Sequence, residues 1–511
     1  MRRYAFVAQV LGLLVGFYVM CAALVVGLIA LTVVLFDVWG TNRATIALLF
    51  VTLGAVVVVI RGVFVSTRLR ARHIVGIDVT PAQQPVLWAR IHDLAARVGT
   101  RAPRRLYLVP DVNAAVWENT RLLGLIPGRR QMMVGVPLLM ALTPAQLDAV
   151  LAHELGHYGN HDTRIGGLVG RTRQSVMAAL RAASRPRKVV LPGAGVFAVL
   201  FEAYAKLVLG VTQEASRAQE YAADRVAAEI AGPENTVAAL SELRGIESAF
   251  GFYLDRYLSP GLRLGLVPPA PEVFGGFSAL LAEPARQAEL DKIRQRPHET
   301  DRDPYDSHPP MAERIAALKA LPRNDTGPEA AGVRAVMLLA NPAETLAAVA
   351  MRALHKEVRG KQVTSWDALA ATAALHRADE AAKPLRETVS LLCRRPADLT
   401  GFAELLRAGR LTELLNALPP NEASRRTRAA GRVAREHAKT ELARMLRDWL
   451  VGDLVRTGRA TWAHSWAEIS GALTMAPELR ADLDAAIGDL VAVRPDDARM
   501  RAFVQGVAVA A

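Results

Sequence analysis

The sequence predicts a mainly α-helical chain that begins with two membrane helices and continues into more than one further domain. Residues 4–36 contain no charged side chain, and neither do residues 44–60. Since about 20 apolar residues cross a bilayer core, these runs predict spans at about 8–35 and 44–65, with Arg61 reaching back toward the headgroups. A cleaved signal peptide is the alternative, but the first apolar run is too long for one and a second run follows at once.

The arginines around these two runs predict how the hairpin is oriented. The loop between the runs carries one acidic residue, Asp37, and one arginine, Arg43. Arginines are concentrated outside that loop, at positions 2, 3, 61, 68, 70 and 72. Because positive loops stay on the cytoplasmic side, we expect a multi-pass protein of the cell (inner) membrane with the bulk of the chain in the cytoplasm.

The net charge and the cysteine content limit which binding partners and which cellular compartment fit this sequence. Cys21 and Cys393 are the only cysteines, and Cys21 lies inside the first apolar run, which fits a reducing compartment. The net charge of +13 comes from widely spread arginines, and no nucleic-acid-binding motif accompanies it. We therefore expect no nucleic-acid partner and attribute the positive charge to an anionic inner leaflet.

Residues 152–157 (AHELGH) carry the strongest chemical signal, because they contain the pattern H-E-x-x-H. On a helix, His153 and His157 project from one face about one turn apart, so two imidazoles at this spacing can bind one zinc ion. Glu154 can then accept a proton from a water molecule on the metal. Thr143 and Gln146 form a predicted capping box with a proline between them, which favours a helix over about 144–159.

A catalytic zinc site needs a third protein ligand. His161 lies about 12 Å from His153 along a straight helix, which is too far to share one ion. Glu220 and Asp224 offer two carboxylates one turn apart on a predicted helix over 216–231, so that one could bind zinc and the other could orient a ligand histidine. By spacing alone, three other acidic residues compete for the ligand position: Glu202, Glu214 and Glu229.

Four segments together resemble the HtpX and CAAX prenyl endopeptidase (Ste24-like) family of integral-membrane zinc metallopeptidases. They are HELGH at 153–157, SRAQEYAAD at 216–224, PDVNA at 110–114, and SHPP at 307–310 with Arg314 and Ile315. The last two are similar to the family's edge-strand motif and to its late histidine-proline motif. The resemblance covers residues 75–320, in order and at plausible spacings.

The resemblance implies a mainly α, gluzincin-type domain with a zinc helix and a small edge-strand sheet. It implies one Zn2+ per chain on His153, His157 and Glu220, with Glu154 as the general base and Asp224 fixing a ligand histidine. It also implies that His308 and Asn113 stabilise the tetrahedral intermediate or hold the substrate. Residues 112–116 are then a candidate strand for pairing with a peptide substrate.

The remaining segments define the expected domains: a hairpin at 1–72, a zinc metalloprotease domain at 75–322, and an all-α C-terminal domain at 328–511.

Residues 189–211 are apolar but interrupted by Pro192, and we expect them not to span the membrane. Residues 264–277 are rich in proline and glycine, which favours a loop. Two strands, at 106–109 and 112–117, precede the zinc helix, and residues 131–136 can pair with the second.

These observations predict a membrane-anchored zinc metalloendopeptidase that hydrolyses membrane or membrane-proximal proteins, as in protein quality control. An intramembrane protease of the site-two type also uses H-E-x-x-H, but Gln146, Asp148 and Asp162 make the helix too polar for the bilayer. A catalytically silent zinc-containing scaffold or partner-binding protein is the alternative from another class, and the intact Glu154 opposes it. The oligomeric state is not predicted.

Overall fold

A computed structural model describes residues 2–50, 52–53, 56, 74–118, 128–159, 176, 194–295, 309–322, 332–354, 359–419, 431–468 and 471–508. The chain divides into two compact units. Unit 1 contains Met1–Phe250 and Ala288–Leu354, and unit 2 contains Gly251–Gln287 and His355–Ala511. The domain limits 1–72, 75–322 and 328–511 stay predictions.

The described residues are mostly helical, with eight short strands. In chain order the elements are α1 Arg2–Trp39, β1 Ile77–Val79, α2 Pro85–Val98, β2 Arg105–Val109, β3 Ala114–Glu118, β4 Arg130–Gly135, α3 Val136–Ala141, α4 Pro144–Gly156, α5 Ala194–Ala231, α6 Pro233–Tyr253, α7 Ser259–Arg263, β5 Leu266–Val267, α8 Ala270–Ala282, α9 Pro284–Gln295, α10 Met311–Lys319, α11 Pro342–Leu354, β6 Gln362–Val363, α12 Trp366–Cys393, α13 Leu399–Arg407, α14 Leu411–Ala417, α15 Gly431–Arg456, β7 Ala460–Ala463, β8 Ala472–Met475, α16 Pro477–Val491 and α17 Ala498–Ala508.

The N-terminal helix α1 contains a segment, Ala8–Trp39, that is long and apolar enough to cross a membrane by length and composition. Among the described residues it is the one candidate span. Residues 43–50 are helical, and Asn42 caps them by accepting from the amides of Ala44 and Thr45. The hydroxyls of Thr32 and Thr52 lie 2.7 Å apart and join the two arms. Most of the predicted second span lies outside the described residues.

A four-stranded sheet of order β1-β2-β4-β3 precedes the motif helix. β2 and β4 pair in parallel, and β3 pairs antiparallel with β4, so the predicted partnership of residues 131–136 with the second extended segment is confirmed. β3 lies at one edge of this sheet. Helix α2 buries Leu87, Ile91 and Leu94 completely or nearly so, and these residues form part of the unit's core.

Helix α5 is longer than the sequence predicted. It begins at Ala194, whereas the pattern indicated a helix only from residue 216. Part of this helix packs against α1: Phe201, Ala205 and Val208 form one buried cluster with Phe17 and Cys21, whereas Val199 is 68% exposed. The expectation that residues 189–211 do not span the membrane stays a prediction.

Unit 2 has a helical core of its own, in which α12, α13, α15, α16 and α17 bury residues such as Phe402, Leu446 and Ile487. The prediction of an all-α region at 328–511 is incomplete, because β7 and β8 form an antiparallel hairpin and β6 pairs with β5. The predicted loop at 264–277 is wrong in its second half. Helix α8 begins at Ala270, since a proline is tolerated in the first turn of a helix, and it buries Val273, Phe274 and Phe277.

Candidate active site

Helix α4 presents the two histidines and the glutamate of the motif. It begins as predicted, with a capping box in which the Gln146 amide donates to the Thr143 hydroxyl and the Thr143 amide donates to the Gln146 side chain. The guanidinium of Arg90, on α2, makes two hydrogen bonds to Asp148 at 2.5 and 2.8 Å. These contacts fix the start and the rotation of α4, and with them the directions of His153 and His157.

Helix α5 brings two carboxylates against α4 through a close approach at Gly156. A Cβ atom at Gly156 would lie 3.3 Å from the Cα of Ala223 and 3.3 Å from the Cβ of Val226. The glycine in HELGH therefore lets the helices pack closely enough for Glu220 and Asp224 to reach the histidines. Both carboxylates are buried, at 6% and 2% exposure.

His153, His157 and Glu220 form a triangle whose ligand atoms all lie within 4.8 Å of one another. Glu220 Oε2 lies 3.6 Å from His153 Nε2, and Glu220 Oε1 lies 3.7 Å from His157 Nε2. Ligand atoms around a tetrahedral zinc ion are separated by about 3.4 Å, given bond lengths of about 2.0–2.2 Å. Two imidazole nitrogens and a carboxylate that faces both of them fit a zinc ion with an open position.

Asp224 contacts the other nitrogen of His153, with Oδ1 at 3.0 Å from Nδ1. This contact points Nε2 of His153 toward the triangle, as carboxylates do for metal-binding histidines. Burial lowers the pKa of His153, but hydrogen bonds to Asp224 and Glu220 outweigh burial and raise the pKa to about 9. A metal ion needs the neutral imidazole, so its binding here displaces a proton.

Arg314 on α10 completes the buried charge network. Its Nε and Nη2 atoms donate to the two carboxylate oxygens of Asp224 at 2.8 and 2.6 Å, and its Nη1 lies 3.8 Å from Glu220 Oε2. Burial raises the pKa of Asp224, yet the hydrogen bonds from Arg314 and His153 lower it more, so Asp224 is a carboxylate. Sequence reasoning gave Arg314 no role. Its place four residues after Pro310, in the late motif, was the signal.

The edge strand β3 and the loop before it form the opposite wall of the site. Gly135 accepts no side chain here, because a Cβ atom would lie 2.1 Å from the Asp111 carbonyl oxygen and 2.8 Å from that of Asn113. The Gly135 amide donates to the Asn113 carbonyl at 2.7 Å. This close approach holds Asn113 beside α4, where it lines the same cavity as His153 and Glu154.

Tyr158 ties this strand to the end of α4. Its hydroxyl donates to the Val116 carbonyl at 3.1 Å, and its ring lies 4.5 Å from the guanidinium of Arg130. Burial and the nearby Glu118 raise the pKa of Tyr158 to about 12, which keeps the phenol a neutral donor. Arg130 pairs with Glu118 at 2.7 Å. Tyr158, Arg130 and Glu118 were not found from the sequence, because no motif contains them.

A cavity of about 430 Å³ opens beside the motif helix. His153, Glu154, Asp224, Arg314 and Asn113 are its chief polar lining residues. The rest of the lining comes mainly from apolar residues of α3, α4, α6 and α10 and from the loop before β3. A cavity of this size, with a few polar groups in a mainly apolar lining, is typical of a ligand or substrate site.

Two histidines considered from the sequence, His161 and His308, lie outside the described residues. Pro309 and Pro310, which follow His308, line the cavity. Of the acidic residues that competed for the ligand position, Glu220 joins the histidines. Glu202 is half-exposed and pairs with Lys206 at 2.9 Å, and neither Glu214 nor Glu229 is part of the ligand group.

One helix carries two histidines and an adjacent glutamate, and a second helix supplies a carboxylate to the same triangle. These features place the chain among proteins with a candidate metal-binding active site. Comparison with known proteins narrows the class. A family model described as peptidase family M48 matches residues 81–321. These matches support the resemblance of the chain to HtpX/Ste24-like proteases of this family.

Individual relatives are distant in sequence. A protease HtpX homologue of Paenarthrobacter aurescens is 25% identical over 284 residues, covering 55% of this chain and 87% of the relative. A protease HtpX of Shewanella halifaxensis is 27% identical over 316 residues, covering 56% and 93%. The crystal structure of S. mikatae Ste24p is 17% identical with a TM-score of 0.28, covering 59% of this chain and 64% of that one.

Proposed function

We propose that this protein is a membrane-anchored zinc metalloendopeptidase that cleaves membrane or membrane-proximal proteins. The convergence of His153, His157 and Glu220, with Glu154 next to the first histidine, is the observation that supports this function best. The donor set is that of a catalytic zinc site, because three protein ligands leave one position for water or substrate. The match of residues 81–321 to peptidase family M48 supports hydrolysis of peptide bonds.

The reaction follows from the positions of the side chains. Zinc, when bound, acts as a Lewis acid and lowers the pKa of water to about 7. Glu154 accepts a proton from the attacking water and returns it to the leaving amine, so it acts first as base and then as acid. Asp224 keeps the His153 ring in the orientation that directs Nε2 toward the triangle, and Arg314 keeps Asp224 ionised.

Asn113 and His308 are proposed to assist the substrate carbonyl. Asn113 lines the cavity on the strand side, where its side-chain amide can donate to an oxygen that gains negative charge. For His308, this role is taken from the family resemblance. Its neighbours Pro309 and Pro310 line the same cavity. Asn113 and His308 would flank the reacting carbonyl from two different segments.

The first test measures chemistry and metal content together, using full-length protein in detergent with casein as substrate. Glu154→Gln should abolish hydrolysis and retain one zinc per chain, because the base is lost and the ligands remain. Glu220→Ala should lose both activity and zinc, and Glu229→Ala on the same helix is the matched control. Undiminished cleavage by Glu154→Gln would refute the assignment of this site as a protease site. Zinc bound to the wild type without Glu154-dependent hydrolysis would favour the scaffold alternative.

Membrane attachment through α1, with the catalytic unit in the cytoplasm, is proposed from the apolar segment Ala8–Trp39 and from the arginines outside the 37–43 loop. Such an anchor restricts the protease to chains at or near the bilayer, which suits the quality control of membrane proteins. A reporter enzyme fused after Arg72 should be active in the cytoplasm, and one inserted in the loop at residues 39–42 should be external. The reverse pattern would mean an extracytoplasmic protease.

A further inference from the structure

The cavity beside the motif helix has an apolar half that the proposed chemistry does not use. Helix α6 lines it with four residues spaced as one helix face, at positions 236, 239, 240 and 243. The Thr236 hydroxyl donates to the carbonyl of Gly232, the residue before α6, so it already has a hydrogen-bond acceptor. Leu138, Val150 and Met311 complete the apolar wall from three other helices.

Small side chains create the space in this half. Ala149 of α4 and Ala239 of α6 belong to one buried cluster, at 2% and 1% exposure. Leu240 is buried, whereas Leu243, Val150 and Met311 are only partly buried and therefore form the accessible part of the wall. The described lining of this half contains no charged side chain, so the surface favours an apolar group over a charged one.

The apolar half lies one helical turn from the reacting groups. Ala149 and Val150 precede His153 and Glu154 by four residues on α4, which corresponds to about 6 Å along the helix axis. Successive residues of an extended peptide are about 3.3 Å apart. When the reacting bond lies at Glu154, the side chain of the adjoining residue can therefore reach Ala149 and Val150. The pocket is thus placed for one side chain next to the scissile bond.

The pairing of β3 indicates where the peptide backbone lies. The Gly135 amide bonds to the Asn113 carbonyl, and antiparallel strands alternate between hydrogen-bonded and non-hydrogen-bonded pairs. The backbone groups of Ala114 and Val116 therefore point away from β4, toward the open edge. The Val116 carbonyl already accepts a hydrogen bond from the Tyr158 hydroxyl, whereas Ala114 lines the cavity. A substrate strand can pair at Ala114, and its pairing ends before Val116.

We infer that this protease selects substrates with a bulky apolar side chain adjoining the scissile bond, and that Leu243 on α6 is a specificity-determining residue. The inference rests on the proposed function, because it assigns a role to the same cavity. The peptide pairs with the strand edge at Ala114, its carbonyl lies near Glu154, and its apolar side chain enters the pocket walled by α6. Hydrophobic membrane segments that have lost their native partners expose such side chains.

The test compares cleavage specificity in full-length protein. Casein fragments sequenced by mass spectrometry should show leucine, methionine and phenylalanine enriched at a position adjoining the cleaved bonds. A peptide series differing only at that position should then show a preference for leucine over alanine. Leu243→Ala removes part of the pocket wall, so this preference in kcat/KM should fall about tenfold. Leu243→Arg should instead raise cleavage of the peptide with glutamate there.

Val237→Ala is the matched control, because Val237 lies on α6 and packs in the same apolar cluster as Leu243 but does not line the cavity. It should change the leucine preference little. Glu154-dependent cleavage with no apolar enrichment, or an unchanged preference in both Leu243 variants, would overturn this inference and leave the protease intact. Cleavage that does not depend on Glu154 would instead overturn the proposed function. Leu243→Ala keeps the test available if the arginine variant fails to fold.

Discussion

Two buried arginine–carboxylate pairs hold the two walls of the site, and they differ in what surrounds them. Arg314 pairs with Asp224 on the metal side, and Arg130 pairs with Glu118 on the strand side. The two arginines are 5% and 7% exposed, and each places two nitrogens near its carboxylate. Arg314 donates to both oxygens of Asp224, whereas both nitrogens of Arg130 donate to one oxygen of Glu118, which Arg101 also approaches at 3.4 Å.

Their neighbours give them different functions. Arg314 lies 3.8 Å from Glu220, so one guanidinium balances two carboxylates that both serve the triangle. Arg130 also donates to the Thr100 hydroxyl and the Arg101 carbonyl, and it stacks on Tyr158. The first pair therefore sets the charge at the proposed metal site, and the second holds the edge strand in place. The same interaction serves chemistry in one place and architecture in the other.

Replacing Arg314 by methionine should have the largest effect. The change leaves Asp224 and Glu220 buried without their cation, which should cost about 3–5 kcal/mol in the metal-free protein. Because a bound Zn2+ supplies positive charge at the same place, the loss should be smaller in the zinc-loaded protein. Activity should fall about 10–100-fold, since Asp224 no longer fixes His153. Thermal unfolding with and without EDTA, together with kcat/KM, measures these effects.

Arg130→Met is the counterpart on the strand side. It should also destabilise the protein, but by less than Arg314→Met, because Glu118 is only partly buried and keeps Arg101 at 3.4 Å. No metal ligand contacts Arg130 among the described residues, so the loss should be equal with and without zinc. KM should rise more than kcat falls, because β3 is loosened while the triangle is kept. An equal zinc dependence in the Arg314 and Arg130 variants would show that the two pairs do not differ as proposed.

Tyr158→Phe should have the smallest effect and sharpens the comparison further. It removes one hydrogen bond to the Val116 carbonyl and keeps the ring that stacks on Arg130. A single hydrogen bond is worth about 0.5–1.5 kcal/mol, so KM should rise about 2–10-fold with zinc content unchanged. Loss of zinc from this variant would mean that Tyr158 supports the metal side as well.

Sequence reasoning located the parts of the site that one helix determines by itself. His153, Glu154 and His157 are related by helical spacing, and the capping box at Thr143 marked where that helix begins. Glu220 and Asp224 are one turn apart, but spacing alone could not choose between them and their rivals. The family resemblance made that choice, and the structure places Glu220 against both histidines.

The remainder depended on contacts between segments far apart in the chain. Arg314 reaches Asp224 from 90 residues away, and the Tyr158 hydroxyl meets a carbonyl 42 residues earlier. Residue spacing within one helix or strand cannot predict such pairs, because each pair joins two different segments. The early part of α5 was missed for a related reason, because the packing of Phe201, Ala205 and Val208 on α1 cannot be predicted from spacing within α5. Helix α8 was missed because prolines in its first turn resembled loop residues.

The length of α5 has a consequence for which bonds can be cut. Tyr204, near the start of α5, donates to the Leu13 carbonyl of α1, and Gly16 allows this approach because a Cβ there would lie 2.9 Å from the Tyr204 hydroxyl. Glu220 lies sixteen residues farther along the same unbroken helix, a rise of about 24 Å. In the proposed membrane-anchored protease, α5 would then fix the distance between the bilayer and the active site. Position relative to the membrane, together with sequence, would select the bond that is cleaved.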